Sequence, residues 1–142
     1  MNIRESISYL IAQIGKAHRS RAEAHLSCSG VHVGQEMLLM LLWEQDGQTQ
    51  SQLAEKMDVQ LPTLSKMLRR MESNGLVEKR EDAADSRVSR VFLTAASRQL
   101  QQELTHIWQL LEEQTLANLT TDERILLRRL LLQVHNNLTE ST

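Results

Sequence analysis

The scarcity of turn-forming residues constrains this chain more than any other feature of its sequence. Its 142 residues include a single proline, Pro62, and only five glycines. All-β folds need many more such residues for their turns, whereas the abundant Leu, Met, Gln, Glu and Arg favour helices. The length suits one domain that buries its own core. The sequence therefore predicts a mainly α-helical single domain over residues 1–142.

Composition excludes several other classes of protein. Hydrophobic residues make up 41% of the chain and charged residues 24%, which excludes wholesale disorder. The longest apolar run, residues 37–43, is far shorter than the roughly 20 residues of a membrane-spanning helix. The lone Cys28 excludes a disulfide framework and a cysteine-built zinc finger within one chain. Without a recognisable signal peptide, we expect a cytoplasmic protein.

Both ends of the chain carry apolar residues at helical spacing. A first helix is predicted from Ile3 to about Leu26, and a second from Ser97 to about Leu116. Capping chemistry at residues 120–123 predicts a final helix, with residues 136–142 frayed. These helices carry more apolar surface than a small domain can cover by itself. The chain is therefore predicted to form a homodimer through residues 1–27 and 97–142. The predicted interface consists of Ile3, Ile7, Leu10, Ile14, Leu127, Leu130, Leu131, Val134 and Leu138.

The pattern in the centre of the chain predicts a helix-turn-helix. A nearly all-apolar helix is predicted over residues 33–45, and Thr49 with Gln52 forms a capping-box pattern for the next. A further helix begins near Pro62 and ends at Asn74-Gly75. Ala54 is predicted where the two short helices cross closely, and Asp58 lies in the turn where glycine is common. Two strands, residues 76–80 and 88–94, then form a small β-hairpin around a polar loop. This order of elements is that of a winged helix.

Charge is distributed unevenly along the chain. The net charge is −2, yet residues 56–90 are net positive and the remainder is net negative. A basic island in an acidic chain is typical of a nucleic-acid contact surface. The outward face of the second short helix combines cations with small hydroxyl side chains, which suit phosphates and base edges. A merely solvated helix face is the alternative at this point.

The wing carries a specific resemblance. Residues 85–94 read Asp-Ser-Arg-Val-Ser-Arg-Val-Phe-Leu-Thr, which matches the D-x-R-x-x-x-V-x-L-T wing of the multiple-antibiotic-resistance regulator (MarR) family. Gly75-Leu-Val77 matches the family's G-L-V after the recognition helix, and residues 62–66 are similar to the start of that helix. The resemblance covers nearly the whole chain. Two positions depart from it: Ser97 stands where glycine is usual, and Arg69 where an acid is common.

This resemblance implies a homodimeric transcriptional regulator, usually a repressor, that binds a pseudo-palindromic operator in double-stranded DNA and is released by a small organic effector or an oxidant. Residues 33–95 would be its winged helix-turn-helix. Asp85 would orient Arg87, which would reach the minor groove. The predicted DNA contacts are Pro62, Thr63, Ser65, Lys66, Arg69, Arg70, Asp85, Arg87 and Arg90. A winged-helix protein-interaction module without DNA binding is the alternative.

Four residues are candidates for the response to a signal. Cys28 is a candidate oxidant sensor, with an inert thiol as the alternative. Trp43, His106 and Trp108 are candidates for lining an organic-effector cleft, with plain core packing as the alternative. The histidines are scattered, so neither a metal site nor a cofactor is predicted. No phosphate-binding glycine motif, H-E-x-x-H or G-x-S-x-G is present, so no enzyme is predicted.

Overall fold

The computed structural model describes residues 1–140. Its first long helix, α1, spans Ile7–Leu26 and follows a short 3₁₀ turn at Ile3–Glu5. Ser6 separates the two, because its hydroxyl accepts a hydrogen bond from the Tyr9 backbone N–H at 3.1 Å and caps the helix. The helix predicted from Ile3 therefore begins at Ile7, since the apolar spacing carries no information about the cap.

The middle of the chain forms a helix-turn-helix and a small antiparallel sheet. Its elements are α2 (Gln35–Glu44), β1 (Gln48–Thr49), α3 (Gln50–Met57), α4 (Leu61–Ser73), β2 (Val77–Glu81) and β3 (Ser89–Leu93). The sheet has the order β1-β3-β2, with Gln48 opposite Val91 and Lys79 also opposite Val91. The predicted two-stranded hairpin is thus a three-stranded sheet. Strand β1 could not be predicted from the sequence, because two residues are too few to show an alternation of apolar and polar side chains.

The core lies where α2, α3, α4 and the sheet meet. Helix α4 buries Leu64, Leu68 and Met71, and strand β3 buries Val91 and Leu93. Ala54 is 7% exposed, as expected where two helices cross closely. Helix α2 also buries two polar side chains, Gln35 and Glu36, and burial raises the pKa of the Glu36 carboxyl.

Gly47 shapes the turn between α2 and β1. Its φ of 71° lies in the left-handed region, and a Cβ there would stand 2.8 Å from the Phe92 ring. The next residue, Gln48, is 1% exposed and joins α2 to α3. Its amide donates to the Leu41 and Gln45 carbonyls, and its carbonyl accepts from the Lys56 ammonium. The sheet edge is thereby fastened to both helices.

The region predicted as one helix from Ser97 is two helices, α5 (Ala95–Gln99) and α6 (Gln101–Thr115). Leu100 turns tightly between them and donates its backbone N–H to the Ser97 carbonyl. This turn keeps the apolar spacing almost unchanged, so periodicity does not reveal it. Ser97 itself is fully buried and forms a capping box with Thr94, which accounts for the missing glycine.

The last helix, α7, spans Thr121–Thr139 and starts with the predicted capping box of Thr120 and Glu123. The prediction that residues 136–142 fray is wrong for 136–139, which are helical; residues 141–142 lie outside the described part. Helix α7 buries none of its residues in the single chain. Large apolar side chains are instead exposed along α7, along the N-terminal half of α1 and in the short turn before α1: Ile3, Ile7, Leu10, Ile11, Ile14, Ile125, Leu126, Leu130, Leu131, Leu132 and Leu138.

Helices α1 and α6 pack against each other. His25 and Gln114 are joined by a 2.8 Å hydrogen bond, and His18 meets the Trp108 ring edge-on at 6.4 Å between centroids. Between residues 1 and 140, none of the helices combines the length and apolar character needed to cross a membrane.

Candidate nucleic-acid interface

The turn between α3 and α4 is built by local chemistry. Thr49 caps α3, and its hydroxyl and the Gln52 side chain satisfy each other's backbone N–H groups. Asp58 ends α3 in the left-handed conformation, at φ 54° and ψ 48°, which an Asp side chain tolerates better than most. Pro62 lies in the first turn of α4, where its missing N–H costs nothing. These residues set the angle at which α4 leaves the turn.

Helix α4 divides into an apolar inner face and a polar outer face. The inner side chains are fully buried, while Thr63, Lys66, Arg69 and Arg70 are exposed. Pro62 is exposed as well. Ser65 is half-buried at the seam with α3, where its hydroxyl donates to the Gln50 side-chain carbonyl at 3.1 Å. The structure thus places most of the predicted major-groove contacts on one accessible helix face.

The wing is the loop between β2 and β3, residues 82–88. The Arg87 guanidinium donates to both carboxylate oxygens of Asp85, at 3.1 and 3.2 Å, and its backbone N–H donates to the same carboxylate. The Arg87 side chain is nevertheless 89% exposed. The hydrogen bond from the Arg87 side chain lowers the pKa of Asp85. The carboxylate that holds the guanidinium therefore stays ionised at pH values below those at which an Asp usually becomes protonated. The predicted pairing of these two residues is therefore present.

Arg90 differs from the other predicted DNA contacts. Its guanidinium donates to Asp82 at 2.6 Å and to the Gly47 carbonyl at 2.9 Å, so it joins the base of the wing to the β1 turn. The Arg90 hydrogen bond lowers the pKa of Asp82, whose other oxygen accepts two backbone N–H groups within the loop. The Arg90 side chain is 39% exposed, and its hydrogen bonds within the chain join the wing to the β1 turn.

A cleft of about 1200 Å³ separates α1 from α4. Arg19 and Glu23 of α1 lie on one wall, and Lys66 and Arg70 of α4 lie on the other. Its apolar lining includes Leu26, Val31 and Met67. A mixed apolar and cationic cleft of this kind suits an organic anion.

The residues predicted to line an effector cleft do not come together. Trp43 packs against the hydrophobic core, Trp108 packs against His18, and His106 lies in a separate surface groove on α6. Cys28 is exposed just after α1, with its sulfur 3.9 Å from the Ser27 hydroxyl oxygen. Within residues 1–140, no cluster of three or more His, Cys, Asp or Glu side chains has the arrangement of a metal site.

Comparison with known proteins gives a consistent result. The MarR family model matches residues 33–89, from α2 into β3. The "Uncharacterized HTH-type transcriptional regulator YdgJ" of Bacillus subtilis is 29% identical over 132 residues, which are 93% of this chain and 79% of the relative. A crystal structure of a mutant MarR from Escherichia coli in complex with operator DNA superposes with a TM-score of 0.86. It is 26% identical and covers 94% of this chain and 98% of its own.

This chain is a MarR-family transcriptional regulator. The fold is shared more widely: the structure of Bordetella bronchiseptica BpsR, whose DNA binding is regulated by 6-hydroxynicotinic acid, superposes with a TM-score of 0.88 at 20% identity. That match covers 96% of this chain and 97% of BpsR. The mainly helical winged-helix architecture predicted from the sequence is thereby confirmed.

Several residues of this MarR-family regulator that shape the site are not apparent from its sequence. Asp46 accepts hydrogen bonds from the backbone N–H of Leu93 and from the Arg98 guanidinium, at 2.9 and 2.6 Å, and so joins β3 to α5. Gln50 contacts Ser65, and Arg19 lines the cleft. Each of these contacts joins segments that are distant in sequence or separated by a turn, and no local motif marks them.

Proposed function

We propose that this MarR-family regulator is a homodimeric repressor that binds a pseudo-palindromic operator in duplex DNA, acting in the cytoplasm by binding and without catalysis. The observation that carries the proposal is the outer face of α4, which exposes cationic and hydroxyl-bearing side chains. The inner face of the same helix is buried in the core. A relative 26% identical to this chain has been crystallised with its operator DNA, which supports the same mode of binding here.

Homodimerisation is proposed because α7 has no buried face of its own. A helix of 19 residues that exposes rows of leucine to water is unfavourable by roughly 25 cal/mol for each Å² of apolar surface. The exposed first turns of α1 have the same need. Residues 1–27 and 97–142 of two copies would cover each other, and residues 33–95 of each copy would bind one half-site. Half-sites should then lie about one helical turn apart, roughly 10 base pairs centre to centre.

In this proposal α4 enters the major groove. Lys66 and Arg70 contact phosphate or guanine, Thr63 and Ser65 face base edges, and Pro62 lies against the groove. Arg69 adds a phosphate contact. Arg87 reaches the minor groove beside the half-site, held by Asp85, while Arg90 supports the wing from within. Selection of bound duplexes from a random library tests the proposal as a whole, and failure to enrich any paired half-sites would refute it.

Removal of the wing cation should weaken binding in a salt-dependent way. Arg87→Ala is expected to lower affinity for the selected duplex and to flatten the dependence of log K on log salt by roughly one for each phosphate that the guanidinium no longer neutralises. The effect should be largest on duplexes with A·T-rich flanks, whose narrow minor groove attracts a guanidinium. Asp85→Ala should produce a milder form of the same defect, because the charge remains but its orientation is removed.

The measurement is a salt titration of fluorescence anisotropy for the wild type and both variants. Arg128→Ala, which removes an exposed cation on α7, is the control and should bind like the wild type. Equal slopes and affinities for Arg87→Ala and the wild type would show that the loop is only a solvated turn.

We also infer that the cleft between α1 and α4 holds the effector. Arg19, Lys66 and Arg70 supply positive charge, and Leu26, Val31 and Met67 supply apolar walls, so an organic anion with an apolar body fits. Lys66 and Arg70 belong both to this cleft and to the exposed face of α4. An anion bound there competes with DNA for the same cations. Cys28 lies outside the lining, so release is assigned to the cleft and not to the thiol.

A panel of organic anions that includes 6-hydroxynicotinic acid should lower the affinity for the selected duplex. Arg19→Ala is expected to reduce this response at least severalfold while leaving affinity without the anion unchanged, because Arg19 lies on the α1 wall. Anisotropy titrations with and without each compound measure both quantities. An undiminished response in Arg19→Ala would place the effector elsewhere.

A winged helix used only for protein contacts is not favoured. Such a module has no need of exposed cations on α4 and of an oriented arginine in the wing, and this chain has both.

A further inference from the structure

One hydrogen bond crosses the helix-turn-helix between side chains. The Ser65 hydroxyl of α4 donates to Oε1 of Gln50, the first residue of α3, with 3.1 Å between the two oxygens. Both side chains are half-buried, so the contact lies at the edge of the outer face. The N-terminus of α3 is already capped by Thr49 and Gln52, which leaves the Gln50 side chain without a capping duty.

The direction of this bond restricts what Ser65 offers on its other side. A serine hydroxyl has one proton and two lone pairs. With the proton committed to Gln50, only the lone pairs remain available to a third group. Ser65 can therefore accept a hydrogen bond from outside but cannot donate one while the Gln50 contact lasts.

Major-groove base edges differ in this respect. Adenine N6 and cytosine N4 are donors, whereas guanine O6 and N7 and thymine O4 are acceptors. A serine that only accepts discriminates between these two sets, whereas a serine with a free hydroxyl contacts either. The partner inside the protein thus decides which bases the hydroxyl selects.

We propose that Gln50 is a specificity-positioning residue, which holds the Ser65 hydroxyl as an acceptor so that it selects an exocyclic amine of adenine or cytosine. The inference rests on the proposed docking of α4 in the major groove. It adds a residue outside the recognition helix to the determinants of the operator sequence.

Two substitutions at Gln50 separate positioning from general binding. Gln50→Glu keeps an acceptor for the Ser65 proton but adds a negative charge near DNA, so it should weaken all duplexes alike and retain the base preference. Gln50→Leu removes the acceptor and frees the hydroxyl to rotate. It should lose the preference while binding the best duplex within a fewfold of wild type.

The experiment begins with duplexes selected from a random library by the wild-type full chain. The base pair at which Ser65→Ala loses its preference is the position that Ser65 contacts. All four base pairs are then tested there by anisotropy with the wild type, Gln50→Glu and Gln50→Leu. We expect adenine or cytosine to be favoured about tenfold by the wild type and Gln50→Glu, and less than threefold by Gln50→Leu. Replacing that adenine by purine, or that cytosine by 2-pyrimidinone, should remove the preference in the wild type.

Three results would overturn the inference: a wild-type preference for guanine or thymine at that position, an intact preference in Gln50→Leu, or an unchanged base profile in Ser65→Ala. In each case paired half-sites are still selected, so the proposed function stands. Absence of any selected duplex would overturn both.

Discussion

Replacing Leu130 and Leu131 with glutamate is expected to convert the proposed dimer into monomers or aggregates. The two side chains are 45% and 52% exposed in the single chain and lie on a helix that buries nothing of its own. Burial of a leucine contributes about 1.5–3 kcal/mol, and each substitution occurs in both copies. A carboxylate placed in the same contact adds the cost of removing a charge from water.

Sedimentation velocity at micromolar concentration measures this directly. Arg128→Glu changes the charge of the same helix at a position outside the predicted interface, and it should sediment as the wild type does. A wild-type monomer at these concentrations, or an intact dimer of the double variant, would contradict the proposed interface.

The Lys66→Ala, Arg70→Ala double variant is expected to lose most of its affinity for the selected duplex. Each contact to a base contributes about 1–3 kcal/mol, so the loss of two such contacts in each of two half-sites lowers affinity by at least on the order of a thousandfold. A contact to a base relaxes specificity at one position, whereas a phosphate contact weakens all sequences equally and reduces the salt slope by roughly one. Anisotropy titrations at several salt concentrations distinguish the two.

Glu72→Ala provides a control on the same helix, because it removes a negative charge instead of a positive one. Glu72 is exposed and acidic, so its removal should leave affinity unchanged or raise it. A double variant that remains folded and binds the duplex as tightly as the wild type would show that α4 does not dock as proposed.

Features that depend on neighbouring residues could be predicted from sequence. The capping boxes at Thr49 and Thr120 involve side chains three residues apart, and both are present. The alternation that buries Val91 and Leu93 is equally local. The pairing of Asp85 with Arg87 is indicated by the wing motif and joins residues only two positions apart.

Features that depend on contacts between distant residues could not be predicted from the sequence. Strand β1 is defined by its pairing with β3 and has no pattern of its own. Arg90 is as basic as Arg87, yet its guanidinium donates to Asp82 and to the Gly47 carbonyl, which no local pattern indicates. The cleft combines α1 with α4, which are far apart in the chain, so no local pattern indicates that Arg19, Lys66 and Arg70 line it together. Contacts between segments distant in sequence decide these roles, and a local pattern does not record such contacts.

Lys66 and Arg70 lie on the wall of the cleft as well as on the outer face of α4. An effector and an operator that need the same cations exclude each other. An operator that binds more tightly therefore requires a higher concentration of effector before it is displaced. In the proposed competition, the concentration of effector that releases the regulator from an operator therefore rises with the affinity of the regulator for that operator. Promoters with weak operators would open first and those with strong operators last, so a single regulator could time several genes by their DNA alone.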